Sequence, residues 1–427
     1  MNKNAKRFDM LKAPIMPKWY LRPVAWFGSL AFNGPFATRT KTIKHNFKSF
    51  KEPALIFQNH ASMVDFANVV TSMFPHLPCW VVSIEEFVGR EWIFRNIGCF
   101  PKRKFTNDMI LIKNIVDIIN RKKRSVVIYP ETRFSICGVN EDIGEALGKL
   151  VKLCKCRVIV SNQKGNFLHS PQWNKHPYRK VRVINDCYEV VTKEEAKTLS
   201  AEEIQKRIEE YMQYDEYKWQ SENRIRIKSK ERATNIHKVL YKCPICGCEG
   251  NMDSHGTIIE CKECGAKWEL NEYGELESET SEVKFKLPSD WYRWEKEEAY
   301  KEVNEGTYHF EDDVRIEDLV NSKIGFVPIG NVHMTHDENG YVFDGILEDG
   351  SHFHLEKPCL QTRSMHIEYD FKGRGDALDI ATNTNTWFIF LSKQGILTKF
   401  NFTTEALFKK ALKEQENKPS IGICCNI

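Results

Sequence analysis

The stretch "ALIFQNHASMVDFANVVTSMF" (54–74) runs from an apolar segment directly into residues with helical spacing. "ALIFQN" (54–59) is short and lacks polar alternation, so it reads as a strand buried on both faces. The same pairing recurs along the chain. "PCWVVS" (78–83), "SVVIYP" (125–130) and "CRVIVS" (156–161) read as further buried strands, and "REWIFRNIG", "DMILIKNIVDIINRKK" and "IGEALGKLVKLC" space their apolar residues as helices do. This alternation predicts an α/β fold, a mostly parallel central sheet flanked by helices. Ligands of such sheets lie beyond the carboxyl ends of the strands. His60 follows one strand end and Glu131 follows another, so chemistry is expected along that edge.

With 427 residues, the chain exceeds one typical domain. At 41% hydrophobic and 28% charged residues, each part can bury a core. A net charge of +4 selects no class of partner, although basic residues crowd into 39–51, 101–104 and 121–124. The N-terminus lacks the pattern of a signal peptide, so among the 14 cysteines the clustered ones predict metal ligands in a reducing, cytoplasmic compartment rather than disulfides. No run of 18 apolar residues predicts a spanning helix. "PIMPKWYLRPVAWFGSLAFNGPF" (14–36) is aromatic and carries only basic charges. It suits an interfacial helix or helical hairpin at a membrane surface, and equally a segment packed on its own domain.

Three stretches carry candidate chemistry. In "FQNHASMVDF" (57–66), His60 and Asp65 would lie roughly 140° apart on a continuous helix. They pair better if His60 stands at the helix entry and Asp65 reaches back, holding one ring nitrogen and freeing the other as a base. An ordinary helix start with a solvated aspartate fits the stretch as well. "IGCFPKRK" (97–104) leads a glycine turn into Lys102, Arg103 and Lys104, a grouping suited to phosphate or to an ordinary basic loop. In "VVIYPETRFS" (126–135), Glu131 and Arg133 emerge at a strand's carboxyl end, where they can fix substrate hydroxyl and phosphate groups or simply pair with each other.

Together and in this order, the stretches resemble the signature of the glycerol-phosphate acyltransferase superfamily, especially the 1-acylglycerol-3-phosphate (lysophosphatidate) acyltransferases. Asn59, His60 and Asp65 match its N-H-x4-D motif, and Gly98, Phe100 and Arg103 resemble its glycine–aromatic–arginine turn. Tyr129, Pro130, Glu131, Thr132 and Arg133 follow its F-P-E-G-T-R-S motif with the glycine missing, and "VIVSNQKG" (158–165) loosely matches the fourth. The resemblance spans about residues 20 to 190. It implies transfer of an acyl chain from acyl-CoA or acyl carrier protein to the free hydroxyl of lysophosphatidate, giving phosphatidate. His60 would be the general base, Asp65 its orienting partner, and Asn59, Lys102, Arg103, Glu131 and Arg133 would bind substrate. No catalytic cofactor is implied, and a peripheral position on the inner face of the membrane is.

Beyond this region, "SAEEIQKRIEEYMQYDEYKWQSENRIRIKSKERATNIHKVLY" (200–241) reads as one or two amphipathic helices leaving the domain, capped at "SAEE". Cys243/Cys246 and Cys261/Cys264 form two C-x-x-C knuckles flanking a hairpin-like stretch, the pattern of a zinc ribbon with structural zinc. Cys248 and His255 are alternative ligands that break the symmetry. The ribbon is acidic, which argues against a nucleic-acid partner. After residue 283, "GYVFDGIL", "SHFHLEK", "SMHIEYDF", "ALDIAT" and "TWFIFLS" are short strands, and "TTEALFKKALKEQ" (403–415) is a final helix with Thr403 or Thr404 as cap. That element order resembles a pleckstrin-homology-like domain. The expected division is 1–36, an interfacial segment; 37–199, the acyltransferase; 200–241, a helical linker; 242–272, the zinc ribbon; and 283–427, the β-rich domain. Two other readings stand beside this one: acyl transfer to another lysophospholipid or lipid acceptor, and a non-catalytic zinc-ribbon interaction protein.

Overall fold

A computed structural model of the chain describes residues 6–33, 40–62, 64–174 and 179–417. Strands β1 (Lys41–His45), β2 (Ala54–Gln58), β3 (Cys79–Ser83), β4 (Cys99–Lys102), β5 (Val126–Ile128), β6 (Arg157–Lys164) and β7 (Ile184–Val191) form one sheet. Its order is β1-β7-β6-β2-β5-β3-β4. The five strands from β6 to β4 are parallel, while β7 runs antiparallel to β6 with β1 parallel to it at the edge. Every residue of β2 is buried, as its unbroken apolar run demands. Helices Asp65–Met73, Glu91–Asn96, Met109–Asn120 and Leu147–Cys154 lie where the spacing places them.

β1, β4 and β7 were not foreseen. β4 falls within the stretch expected to be a basic turn. The turn is confined to Gly98, whose φ is +102° and where a Cβ would lie 2.7 Å from Pro17 Cγ. Lys102 is therefore the last residue of a parallel edge strand, on the same sheet edge as His60.

Helix Leu21–Asn33 uses Leu21, Ala25 and Trp26 to pack on the core that contains Val69 and Val70. Val24, Phe27 and Leu30 face outward, beside exposed Trp19 and Tyr20. Residues 1–5 and 34–36 of the expected N-terminal segment lie outside the described residues. Among the described residues, no helix is long and apolar enough to cross a membrane.

The stretch expected to leave the domain does not leave it. Ser200 and Glu203 form a reciprocal capping box that starts helix Ala201–Tyr211, and Glu216–Glu222 follows. Ile204, Ile208 and Met212 are buried with Leu55, Val158 and Val191. The apolar stripe that made the helix amphipathic is thus spent on the sheet's own core rather than on a linker's partner.

Strands β8 (Met252–His255), β9 (Ile258–Cys261), β10 (Lys267–Leu270) and β11 (Leu276–Glu277) form a small antiparallel sheet around the cysteine knuckles, with the β8–β9 hairpin between them. An unforeseen helix, Pro288–Asn304, leads into β12 (Phe310–Asn321), β13 (Gly325–Asp337), β14 (Gly340–Ile346), β15 (His352–Lys357), β16 (His366–Glu368), β17 (Ala377–Ala381) and β18 (Thr386–Phe390). Their order, β15-β14-β13-β12-β18-β17-β16, joins a four-strand meander to a three-strand one through β12 and β18. This is the expected antiparallel domain closed by one helix. That helix begins at Leu397, and Thr403 and Thr404 lie inside it, their hydroxyls donating to the carbonyls of Lys399 (3.0 Å) and Phe400 (2.6 Å).

One buried cluster joins these parts. It contains Ala61 and Ile136 beside the sheet edge, Ile259 and Trp268 of the small sheet, Trp291 and Tyr292, and Val314 and Phe402 of the last domain. The capped helix packs as tightly on the helix Leu147–Cys154. A Cβ on Gly148 would lie 1.9 Å from the Ala201 carbonyl oxygen. Gly148→Ala is expected to destabilise the protein by about 1–3 kcal/mol through overpacking, read from the midpoint of urea unfolding.

Candidate active site

His60 follows β2, and Asp65 opens the helix Asp65–Met73. Their side chains meet, with Nδ1 of His60 2.6 Å from Oδ2 of Asp65. The imidazole is partly open, at 23% exposure, whereas the carboxylate is 2% exposed. The ring is gripped between Tyr129 and Phe134, each with its ring centre 4.1 Å away. Nε2 has no hydrogen-bond partner among the described residues. With Nδ1–H donated to Asp65, the free lone pair is on Nε2, the arrangement a general base requires.

Asp65 sits in the first turn, so its carboxylate folds back to accept the N–H groups of Ala61 (2.9 Å) and Ser62 (3.3 Å). Burial pushes its pKa up, opposed by the hydrogen bond and charge of His60 and by those two amides. Asn166 donates to the other oxygen. Its Nδ2 also reaches Gln163 Oε1 at 3.0 Å, which in turn accepts from Asn68 at 2.8 Å. Of these supporting amides, Asn68 and Asn166 carry no sequence signal. The segment containing Gln163 was noticed as a loose fourth motif, but nothing local tied it to an aspartate some hundred residues earlier.

The other expected residues make mostly protein contacts among the described residues. Asn59 was expected to bind substrate. It is fully buried, and its amide accepts Gln163 N–H (2.8 Å) and donates to Gln163 O (3.2 Å), extending the β2–β6 pairing by one side chain. Glu131 is buried against the His60 backbone. It accepts the His60 N–H (3.1 Å), the Glu141 N–H (3.3 Å) and the Tyr214 hydroxyl (3.0 Å), which ties three segments together. Burial pushes its pKa up to about 8 against the His60 N–H that favours the charge, with Glu141 nearby adding to the rise.

Arg133 was expected to grip phosphate and is 2% exposed. It pairs with Glu141 (2.7 Å) and Glu405 (2.8 Å), and donates to Ser364, Asn401 and the Met365 carbonyl. Both terminal nitrogens are engaged in this way, while Nε is buried without a partner among the described residues. Arg103, expected on the same phosphate, donates to the carbonyls of Asn383 (3.3 Å) and Thr384 (2.7 Å) in the β17–β18 turn. Lys104 pairs with Asp379 at 3.0 Å. Lys102 alone of these cations has no hydrogen bond or ion pair among the described residues. The missing motif glycine leaves Thr132 in the left-handed region at φ +61°.

Cys243, Cys246, Cys261 and Cys264 bring their sulfurs within 4.8 Å of one another. Two of the separations, Cys243–Cys264 at 3.7 Å and Cys246–Cys261 at 3.8 Å, match the edge of about 3.8 Å expected for four thiolates around zinc at about 2.3 Å. The donor set therefore fits a metal ion. Cys248 lies 3.3 Å from Cys261 but outside the group, and exposed His255 pairs with Asp253.

Residues 38–150 match the family model described as Acyltransferase. This span holds His60, Asp65, the basic strand end and Glu131–Arg133. The four-cysteine sheet and the C-terminal domain lie outside it. Among solved structures, the chain is similar to the 1-acyl-sn-glycerophosphate (LPA) acyltransferase PlsC from Thermotoga maritima, with 13% identity, 45% of this chain and 77% of that chain covered, and a TM-score of 0.36. No curated protein matches the chain.

Glu131 gives a pH signature. A carboxyl raised to about 8 on folding holds a proton that the unfolded chain has lost, so its stabilising contribution is full below about 4.5 and falls as pH rises towards 8. Glu131→Gln is expected to flatten this decline, measured by denaturant unfolding from pH 5 to 8.

Proposed function

We propose that this protein is a lysophosphatidate acyltransferase, using acyl-CoA or acyl carrier protein as donor and forming phosphatidate. The His60–Asp65 pair, open at Nε2 and fixed at Nδ1, is the observation that carries this reading. Nε2 takes the proton of the acceptor hydroxyl as its oxygen bonds to the thioester carbonyl carbon. The carbonyl–sulfur bond then breaks, and the imidazolium returns its proton to the departing thiolate. Asp65 stabilises the imidazolium without itself becoming protonated. The thiolate is a good leaving group, so one base and good positioning are sufficient, with no covalent enzyme intermediate.

The acceptor lies in a bilayer leaflet, and the outward face of Trp19, Val24, Phe27 and Leu30 suits an anionic lipid surface on the cytoplasmic side. Structural zinc in the four-cysteine cluster fits the same reading. Its folding free energy would support a sheet too small to hold a core by itself. A second reading, acyl transfer to a lipid acceptor without a phosphate monoester, is favoured by one observation: Arg103, Lys104 and Arg133 are all engaged with protein groups.

His60→Ala is expected to lower turnover of lysophosphatidate on anionic vesicles by about 10²- to 10⁴-fold with the fold intact. Near-normal turnover would falsify the proposed base. In the same assay, Trp19→Ala with Phe27→Ala should weaken vesicle binding while leaving turnover of detergent-dispersed acceptor unchanged; unaltered vesicle binding removes that face from the membrane contact. Chelation should lower thermal stability without changing the rate per folded molecule. An immediate loss of rate with circular dichroism unchanged contradicts a purely structural metal.

A further inference from the structure

The segment from Glu131 to Ser135 holds His60 by both of its backbone groups. Glu131 accepts the His60 N–H at 3.1 Å, and the Ser135 N–H donates to the His60 carbonyl at 2.7 Å. Between these contacts Arg133 reaches its buried partners, and the next side chain, Phe134, lies against the imidazole. The ring centres of Tyr129 and Phe134 are each 4.1 Å from that of His60, at interplanar angles of 23° and 40°. Two rings so close cannot share one face, so the imidazole has an aromatic wall on each side.

The turn that aims Phe134 is made at Thr132, whose φ is +61° and whose N–H donates to the Tyr129 carbonyl at 3.0 Å. Tyr129–Ser135 has as many residues as the motif F-P-E-G-T-R-S, so the left-handed Thr132 fills the place of its glycine and Phe134 that of its arginine. A cation at that place would oppose a positive charge on His60, whereas an aromatic face attracts one.

The imidazole is neutral until Nε2 takes a proton and cationic until it gives that proton back. Asp65 meets the charge at Nδ1, 2.6 Å away, but the side chain is only 23% exposed and its two faces are covered by the aromatic rings. A cation deprived of hydration needs a substitute for it. Aliphatic walls would supply none, while the negative π face of an aromatic ring supplies one that is already in place.

We propose that Phe134 and Tyr129 are positioning residues whose ring faces stabilise the charge that His60 acquires on taking the acceptor's proton. This rests on the acyltransferase reading of His60. Tyr129 also packs on the core that contains Trp80, whereas Phe134 is half-buried, which makes Phe134 the position to test.

The test uses the full chain with Phe134 replaced in turn by phenylalanines carrying one, two and three ring fluorines. Their shape is almost constant while the negative charge of the ring face declines. The kcat for lysophosphatidate should fall stepwise, by roughly 3- to 30-fold over the series, with KM unchanged. Phe134→Leu should lose about as much, and Phe134→Tyr should keep most of the rate. A folded series with constant kcat reduces the rings to packing and overturns the proposal. Independently of turnover, magnetic resonance of isotope-labelled histidine, with the His60 signal assigned through His60→Ala, follows its protonation from about pH 5 to pH 8. The other titratable groups around the ring among the described residues are Asp65, Glu131 and the Tyr129 phenol, and fluorination of Phe134 replaces none of them. The His60 proton should be released at lower pH with each added fluorine, and a constant midpoint also overturns the proposal. A stepwise shift in a chain that acylates no acceptor would keep the aromatic stabilisation and remove the acyltransferase reading.

Discussion

The architecture depends on a buried guanidinium. Arg133 leaves the sheet edge beside His60 and is enclosed by Glu141, Glu405, Ser364 and Asn401, while Lys296 completes the charge balance on Glu405 at 2.7 Å. A charge taken so far from water is tolerable only when every neighbour is present; removing one partner of such a pair typically costs about 3–5 kcal/mol. The loop that holds Glu131 and Phe134, the helix Pro288–Asn304 and the C-terminal helix are therefore tied at one point. That point lies a few residues from the imidazole whose placement matters most.

The central strands and helices were legible because burial on both faces produces apolar runs that few other structures need. The missed strands have other patterns. β1 is an exposed edge strand, β4 is only four residues long and ends in Lys102, and half of the long β12 is charged, with Asp312, Glu317 and Asp318 buried. The His60–Asp65 pair was legible because its geometry is local. The contacts of Asn59, Glu131 and Arg133 were not legible, since the groups they meet (Gln163, Tyr214, Glu405) lie from about eighty to almost three hundred residues away. Nothing in the sequence near residue 133 announces a partner in the terminal helix.

The supporting shell explains how a weakly exposed site can still be well defined. Asp65 receives backbone N–H groups, an asparagine and the imidazole, so its position does not depend on any one of them. The two aromatic rings restrict the imidazole in the remaining direction. Preorganisation of this kind spares the pair the reorganisation that an exposed loop would need.

The cluster that runs from Ala61 through Ile259 and Trp291 to Phe402 also bears on how such a chain can change over generations. Shortening it after the knuckles would strip tryptophan and tyrosine side chains of their cover and leave a bare guanidinium inside the first domain. The three regions are thus inherited as one unit: a descendant can trim the outer strands of the last sheet, but it cannot discard that sheet and keep its first domain sound.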